Sequence, residues 1–225
     1  ENSLIMLNGS QKIPFQFIDT VEFATLDIGS LLENKFQKMI SNYTACDHYN
    51  IPNQQDPEKV KEIFLKLSNY DQIIISLHDL SKHPSGRFEI PQLYKSLIDS
   101  LNEKSDISLV LFGNTYGVKH FFSNSFPVLI AHEDNDITQS VAAQALFGGI
   151  EIHGTLPVSP SEEYQFGSGE VISQTIRLKY TLPEELGFDS AVLARIDSIA
   201  MNAIKEGAMP VCQVLFAKDG KIFYQ

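Results

Sequence analysis

Six residues combine a chemically useful side chain with a position shortly after an apolar run of the chain: His83, Arg87, Asn114, His132, Glu133 and Asp134. In open α/β sheets, ligands bind at the carboxyl ends of the strands, so side chains at that edge can reach a ligand. The pattern predicts a binding surface at this edge. It assigns none of the six a catalytic role.

The most polar of these turns is 79–88, DLSKHPSGRF. His83 and Arg87 could donate hydrogen bonds to a ligand or to a neighbouring domain, or they could belong to a long exposed connection. Glu133 lies at a strand end, where a solvated or capping carboxylate is common. Both alternatives for His83 and Arg87 stay open.

The sequence lacks the residue patterns that metal, nucleotide and nucleophile sites require. The six histidines form no H-E-x-x-H pattern, and Cys46 and Cys212 lie far apart, as expected of free thiols. The turn after the first predicted strand has one glycine and no lysine, so it matches neither a dinucleotide turn nor a phosphate-binding loop. No G-x-S-x-G elbow occurs. We therefore expect no metal and no cofactor.

Composition excludes two classes of partner. The net charge of −11 and the pI near 4.9 argue against nucleic acid, whose binding needs clustered Lys and Arg. No apolar run reaches the roughly 18 to 20 residues of a membrane span, and the first residues lack the basic start of a signal peptide. The sequence thus carries no cellular address of its own.

Five apolar runs predict strands, and amphipathic segments predict helices between them. The strands are expected at 21–28, 45–51, 72–77, 107–112 and 126–131, and the helices from Gly29-Ser30 onward and at 57–67, 91–101 and 137–147, the last capped by Asp136 with Gln139. Such alternation favours a mainly parallel sheet with helices on both faces. The predicted fold class is α/β: a three-layer α/β/α sandwich of about five or six strands, with segment 4–17 lying along it.

A different pattern follows the sandwich. Serine, proline and glycine punctuate 159–169, a weakly alternating stretch continues to 180, and a helix is predicted from Ser190 to the glycine at 207. Two strands, 212–217 and 221–224, flank the turn Asp219-Gly220. We expect a sandwich domain at 1–160, a linker or edge strand at 161–183, and a C-terminal helix and β-hairpin at 184–225.

The amino-acid sequence of 142–159, AAQALFGGIEIHGTLPVS, is more specific than that of an ordinary helix end. With segments 3–8 and 13–14, and with 135–149, it resembles the C-terminal α/β domain of family 3 glycoside hydrolases. The triplet Glu133-Asp134-Asn135 is similar to one that precedes the last helix in the β-N-acetylglucosaminidase branch. The resemblance covers about 4–159.

The resemblance implies a domain that does no chemistry by itself. In that branch the catalytic aspartate and the histidine-aspartate pair lie on a preceding TIM barrel, and no position here matches their motifs. In other branches this domain contributes the acid/base glutamate, a role that Glu133 could imitate, or Glu133 could be a solvated or capping carboxylate. We therefore expect a non-catalytic accessory or scaffold domain, inactive alone, whose partners are the barrel and the glycan substrate. The alternative is a carbohydrate or small-ligand binding module whose strand-end loops contact sugar hydroxyls. The resemblance also implies carbohydrate metabolism and a periplasmic or secreted bacterial parent enzyme.

Residues 184–225 resemble the start of a serine β-lactamase-like domain, which begins with a long helix and a hairpin. That family has proline-glycine where this chain has Pro210-Val211, and its S-x-x-K nucleophile motif is absent from the sequence. We expect this segment to be the truncated start of such a domain, fused to the sandwich within a larger enzyme.

Overall fold

The computed structural model describes residues 3–53, 56–81, 83, 88, 92–120 and 126–225. The chain divides into two compact units, Glu1–Thr175 and Ile176–Gln225. In the part of the chain that the structure describes, no helix has the length and apolarity needed to cross a bilayer.

The first unit contains a six-stranded sheet. Its strands are β1 Ile5–Leu7, β2 Phe23–Ile28, β3 Cys46–Ile51, β4 Gln72–Leu77, β5 Asp106–Leu111 and β6 Val128–Ile130, in the spatial order β1-β6-β5-β4-β2-β3. All neighbours are parallel except β1, which runs antiparallel to β6. The α/β class, the mainly parallel sheet and the strand number agree with the prediction. The sixth strand comes from the leading segment.

Three α-helices connect strands of the sheet, α1 Lys35–Ser41, α2 Pro57–Leu67 and α3 Gln92–Asn102, and a fourth, α4 Asp136–Leu146, follows β6. Alternate residues of β2 and β4, among them Leu26 and Ile75, lie in one apolar cluster with residues of α2 and α3 such as Leu67 and Leu97. The amphipathic stripes of α2 and α3 explain this side of the sandwich, since each buries its apolar side against the sheet.

The opposite side of the sheet is more polar. There β2 buries Thr25 and Asp27, and β4 buries Ser76 and places His78 just beyond its end. Side chains of Asn34 and of α1 bond to the β2 residues: the Gln37 amide donates to Thr25 Oγ1 over 3.0 Å. Because buried polar groups need partners, this side fixes where α1 and its preceding turn must lie.

One predicted helix start and one predicted cap were wrong. Helix α1 begins at Lys35 with Asn34 as its cap, not at Gly29-Ser30, because Gly29 turns the chain with a φ of +102° beside the His78 carbonyl. Helix α4 is capped by Asn135, whose Oδ1 accepts the Thr138 N–H over 2.9 Å, instead of by Asp136. The end of α4 is as expected, with Gly148 at a φ of +78°.

The segment 150–172 covers the β1 edge of the sheet. The Gly154 N–H donates to the Leu4 carbonyl over 3.1 Å, and the Glu170 N–H donates to the Met6 carbonyl over 2.9 Å. Leu156 is fully buried. This segment supplies partners to backbone groups that an edge strand would otherwise leave open to solvent.

The second unit contains α5 Ser190–Lys205 and a small sheet, β7 Lys179–Tyr180, β8 Phe216–Lys218 and β9 Lys221–Tyr224, in the order β7-β9-β8. The β8–β9 hairpin turns at Asp219-Gly220, both at positive φ, as in a type I′ turn. Strand β8 is shorter than predicted, since it starts at Phe216. Helix α5 buries Leu193 and leaves Val192 and Ile199 exposed.

Candidate functional site

The site is built where the order of the sheet reverses. After β2 the chain crosses to β3 on one side, and after β3 it crosses back to β4 on the other side of β2. The connections at the carboxyl ends of β2 and β4 therefore diverge, which is where open α/β sheets place their ligands. Buried and half-buried polar side chains meet at this point.

We call these side chains the carboxyl-edge network: Asp27, Asn34, Ser76, His78, Asp134 and Gln139. They come from two strands and from the residues that open α1 and α4. Ser76 Oγ donates to Asp27 Oδ1 within the sheet, and Asn34 Nδ2 lies 2.5 Å from Asp27 Oδ2. Asp27 has no exposed surface, so these donors replace the water that would solvate it.

His78 joins the two carboxylates of the network. Its Nδ1 lies 3.0 Å from Asp134 Oδ1, and its Nε2 lies 3.7 Å from Asp27 Oδ2. The imidazole also stacks on the Phe112 ring, with centroids 4.7 Å apart, and is 3% exposed. A carboxylate only accepts hydrogen bonds, so Nδ1 carries the proton that Asp134 receives.

Asp134 and Gln139 connect the network to both helix starts. Asp134 Oδ1 also accepts from Gln139 Nε2 over 2.7 Å, and its Oδ2 accepts the Asp79 N–H over 3.1 Å. Gln139 Oε1 accepts the Lys35 N–H over 3.1 Å, in the first turn of α1. One chain of hydrogen bonds thus satisfies a backbone donor of α1 and holds the loop before α4.

The two carboxylates differ electrostatically. Burial raises the pKa of Asp27 to about 6, although His78, Ser76 and Asn34 each act to lower it. Burial also acts to raise the pKa of Asp134, but the His78, Gln139 and Asp79 N–H bonds outweigh it, and the pKa is lowered. Environments that separate two acids in this way also occur in catalytic sites, so exposure must decide what this pair can do.

Exposure limits the network to a supporting role. Asp27 is 0% exposed and His78 is 3% exposed, whereas the Asp134 side chain is 27% exposed. A general acid or base must come within hydrogen-bond reach of its substrate, and two of the three titratable groups have no surface to offer. The arrangement can position the 133–135 loop and both helix starts. It offers a ligand the outer side of Asp134.

The six residues predicted from the sequence fall in different surroundings. Asp134 belongs to the network, and Glu133 is exposed beside it, with Oε2 accepting from Asn135 Nδ2 over 3.3 Å. His83 is exposed, and its N–H donates to Ser81 Oγ over 3.2 Å. Arg87 lies outside the described residues.

The other two predicted residues meet at a 3₁₀ turn, Thr115–His120, after β5. Asn114 Oδ1 accepts the Tyr116 N–H over 3.0 Å, and His132 Nδ1 lies 3.2 Å from Thr115 Oγ1. Burial lowers the pKa of His132, and a hydrogen bond with the Ser3 backbone raises it by less. These contacts hold the turn, and a ligand role for either residue stays a prediction.

Sequence reasoning missed Asp27, Asn34 and His78. A signal was present, because Asp27 interrupts the apolar strand FATLDI and His78 directly follows QIIISL. A charged residue inside a strand buried on both faces needs a partner and marks a site. No group of three or more His, Cys, Asp or Glu within the described ranges is arranged to hold a metal ion.

A shallow polar depression of about 550 Å³ lies at the opposite end of the sheet, beside the amino ends of β4 and β5. Its lining includes Tyr70, Asp71, Asn102, Lys104 and Asp106. This end lies away from the switch point and carries few apolar groups, unlike most ligand sites. The carboxyl edge remains the better candidate.

No protein-family model and no curated protein matches the chain. Solved structures do match it. One is a fungal multi-domain GH3 β-N-acetylglucosaminidase, described as having a GCN5-related glucosamine N-acetyltransferase region, with 14% identity, a TM-score of 0.55, and coverage of 75% of this chain and 18% of that one. Another is a glycoside hydrolase family 3 β-N-acetylglucosaminidase from Paenibacillus sp. str. FPU-7, with 16% identity, a TM-score of 0.50, and coverage of 68% and 30%.

At these identities the likeness is one of fold. The chain spans less than a third of the length of either structure. Its fold therefore recurs within larger, multi-domain family 3 enzymes.

Proposed function

We propose that this chain supplies a non-catalytic accessory domain to a family 3 glycosidase, and that the parent enzyme is a β-N-acetylglucosaminidase. The fold likeness to two such enzymes supports the proposal. The observation that carries it is the closure of the carboxyl-edge network, in which Asp27 and His78 are too buried to reach a glycan. Retaining glycosidases need two groups that flank the scissile bond about 5 to 5.5 Å apart.

The partners in this proposal are a TIM barrel that holds the catalytic residues and the glycan it cleaves. Residues 1–160 form the sandwich domain, 161–183 connect it, and 184–225 begin a β-lactamase-like domain. A capped helix and a tight hairpin in the last segment are compatible with that assignment. Without an S-x-x-K motif, the segment has no nucleophile of that family.

The test is an assay of the purified 225-residue chain with an aryl N-acetyl-β-glucosaminide. We expect no release of the aryl alcohol above the rate without protein. Turnover that scales with the concentration of the chain would contradict the accessory role. Loss of that turnover in Glu133→Gln, with an unchanged circular dichroism spectrum, would identify the residue responsible.

A second candidate is a binding module for carbohydrate or another small ligand. It is favoured by the position of Asp134, whose half-open side chain lies at the switch point of the sheet. Calorimetric titration with N-acetylglucosamine tests it. Heat that is lost in His83→Ala or Glu133→Gln would support binding, because both side chains are exposed and neither belongs to the network.

A further inference from the structure

The side-chain amide of Asn34 lies between Asp27 and His78. Asn34 Nδ2 is 2.5 Å from Asp27 Oδ2 and 3.2 Å from His78 Nε2. Its two N–H bonds can serve both acceptors at once. Its Oδ1 accepts the Gln37 N–H over 3.0 Å and so caps α1. One side chain therefore bridges two titratable groups and closes a helix end.

This geometry requires one protonation state. Nδ1 of His78 donates to Asp134, so Nε2 can accept from Asn34 only while the imidazole is neutral. Oδ2 of Asp27 can accept from Asn34 only while that oxygen carries no proton. The bridge thus requires an unprotonated Asp27 Oδ2 and a neutral His78.

A proton added to either acceptor atom breaks the bridge. On Asp27 Oδ2 or on His78 Nε2, the proton turns an acceptor into a donor that points at the Asn34 amide, and two donors do not pair. The oxygen and the nitrogen are only 3.7 Å apart, so once the amide leaves they can share the proton directly.

The surroundings leave few other groups to take that proton. The loop before α4 contributes Asp134, which His78, Gln139 and the Asp79 N–H already hold ionised. Strand β3 contributes Cys46 and His48, and His48 is bonded through Nδ1 to Thr25. On the α1 side Glu33 faces His48 at 3.9 Å, and β5 contributes the uncharged Phe112 ring. The pKa of Asp27, about 6, places uptake in mildly acidic solution.

We propose that Asn34 is the moving part of an acid switch: uptake of one proton by Asp27 and His78 expels its amide, uncaps α1 and releases the turn 29–34. The charge of Asp27, His78 and Asp134 together then changes from −2 to −1. The released turn carries Leu31 and Leu32, which are 71% and 79% exposed at the carboxyl edge of the sheet. The switch depends only on this unit's geometry, so it stands or falls independently of the proposed function.

The test uses the ¹⁵N-labelled 225-residue chain between pH 7.5 and 5. Long-range proton–nitrogen spectra report which imidazole nitrogens of His78 carry protons, with exposed His83 as reference. Amide exchange of Gln37, corrected for its intrinsic pH dependence, reports the cap. We expect a bare Nε2 at pH 7.5, and a five- to tenfold rise in Gln37 exchange as the pH falls through the Asp27 pKa of about 6.

Two variants and one internal control separate the switch from general loosening. Asp27→Asn puts a donor where the protonated acid would have one, so Gln37 should exchange at its acid rate already at pH 7.5. Asn34→Ser keeps a good capping residue without the bridge, so its Gln37 exchange should show no step. The Thr138 amide, capped by Asn135, is the matched control and should show none.

The proposal is overturned if His78 Nε2 is protonated at pH 7.5, or if corrected Gln37 exchange does not change with pH in the wild-type chain. It is equally overturned if Asn34→Ser keeps the full step, or if Thr138 shows the same step as Gln37. If Asp27→Asn does not fold, the Asn34→Ser result and the wild-type titration decide between these outcomes.

Discussion

The raised pKa of Asp27 makes a quantitative prediction for the substitution Asp27→Asn. A carboxyl that binds its proton more tightly in the folded chain than in the unfolded chain favours folding as the pH falls through that interval. The interval for Asp27 runs from about 6 down to its ordinary 3.8. At about 1.4 kcal/mol per unit, the wild-type chain should gain about 2.5 kcal/mol relative to the variant between pH 7 and pH 4.

Three other titratable groups change the stability of the fold with pH in the direction opposite to Asp27. Burial lowers the pKa values of His48 and His132, so their contribution to stability is present above pH 6.5 and is lost as the pH falls below it. Asp134 has a lowered pKa, so its contribution is lost only as the pH falls below the ordinary carboxyl range. Both chains share these groups, and Asp27 is not among the causes of the His48 and His132 shifts, so those two contributions cancel in the difference between wild type and Asp27→Asn.

Urea unfolding at pH 4, 5, 6 and 7 measures that difference. Tyrosine fluorescence is a suitable probe of the first unit, which holds six of the eight tyrosines. Asp99→Asn is the matched control, because Asp99 is half exposed on α3 and pairs with Lys95, one turn earlier on the same helix. A difference between wild type and Asp27→Asn that stays constant within about 0.5 kcal/mol from pH 4 to pH 7 would refute a buried, ionised Asp27.

Three further substitutions test a close backbone approach, the aromatic packing of the first unit and a helix cap of the second. Gly29→Ala should lower the free energy of unfolding by at least about 2 kcal/mol, measured by thermal unfolding, because the new Cβ would lie 2.2 Å from the His78 carbonyl oxygen and the backbone there has a φ of +102°. The control Gly167→Ala, where φ is +84° and the Cβ would enter open space, should cost about 1 kcal/mol. Phe147→Ala should lower the free energy of unfolding in urea by about 3 to 5 kcal/mol, because the buried Phe147 ring contacts three other aromatic rings. The control Phe166→Ala should cost under about 0.5 kcal/mol, because the Phe166 side chain is 74% exposed. Asp189→Ala removes the α5 cap and should cost about 1 kcal/mol, which hydrogen exchange in the first turn of that helix would report.

Local patterns predicted the layers of the fold well. Strand β4 begins and ends where the apolar run QIIISL does, and α2 begins at Pro57 after its Asp56 cap, because both signals are contained within a few neighbouring residues. Strand β1 was harder to predict. Three apolar residues have no period to measure, and their pairing with β6 links positions more than 120 residues apart.

The carboxyl-edge network could not be predicted as a unit. Its members come from five separate places in the sequence, and each position taken alone is compatible with a cap or a solvated polar residue. They converge because β2 and β4 are parallel neighbours and because α1 and α4 begin at the same edge of the sheet. Only Asp134 was predicted, on the strength of its position after the last strand.

The closure of the carboxyl-edge network is tested most directly by the reactivity of its histidine. Diethyl pyrocarbonate acylates accessible, neutral imidazoles, and mass spectrometry reads the modification at each position. His153, whose side chain is 42% exposed, should react in the folded chain, while His78, at 3%, should react only after unfolding in urea. Equal rates of modification at His78 and His153 in the folded chain would contradict a closed, supporting network. His78 would then become a candidate catalytic residue.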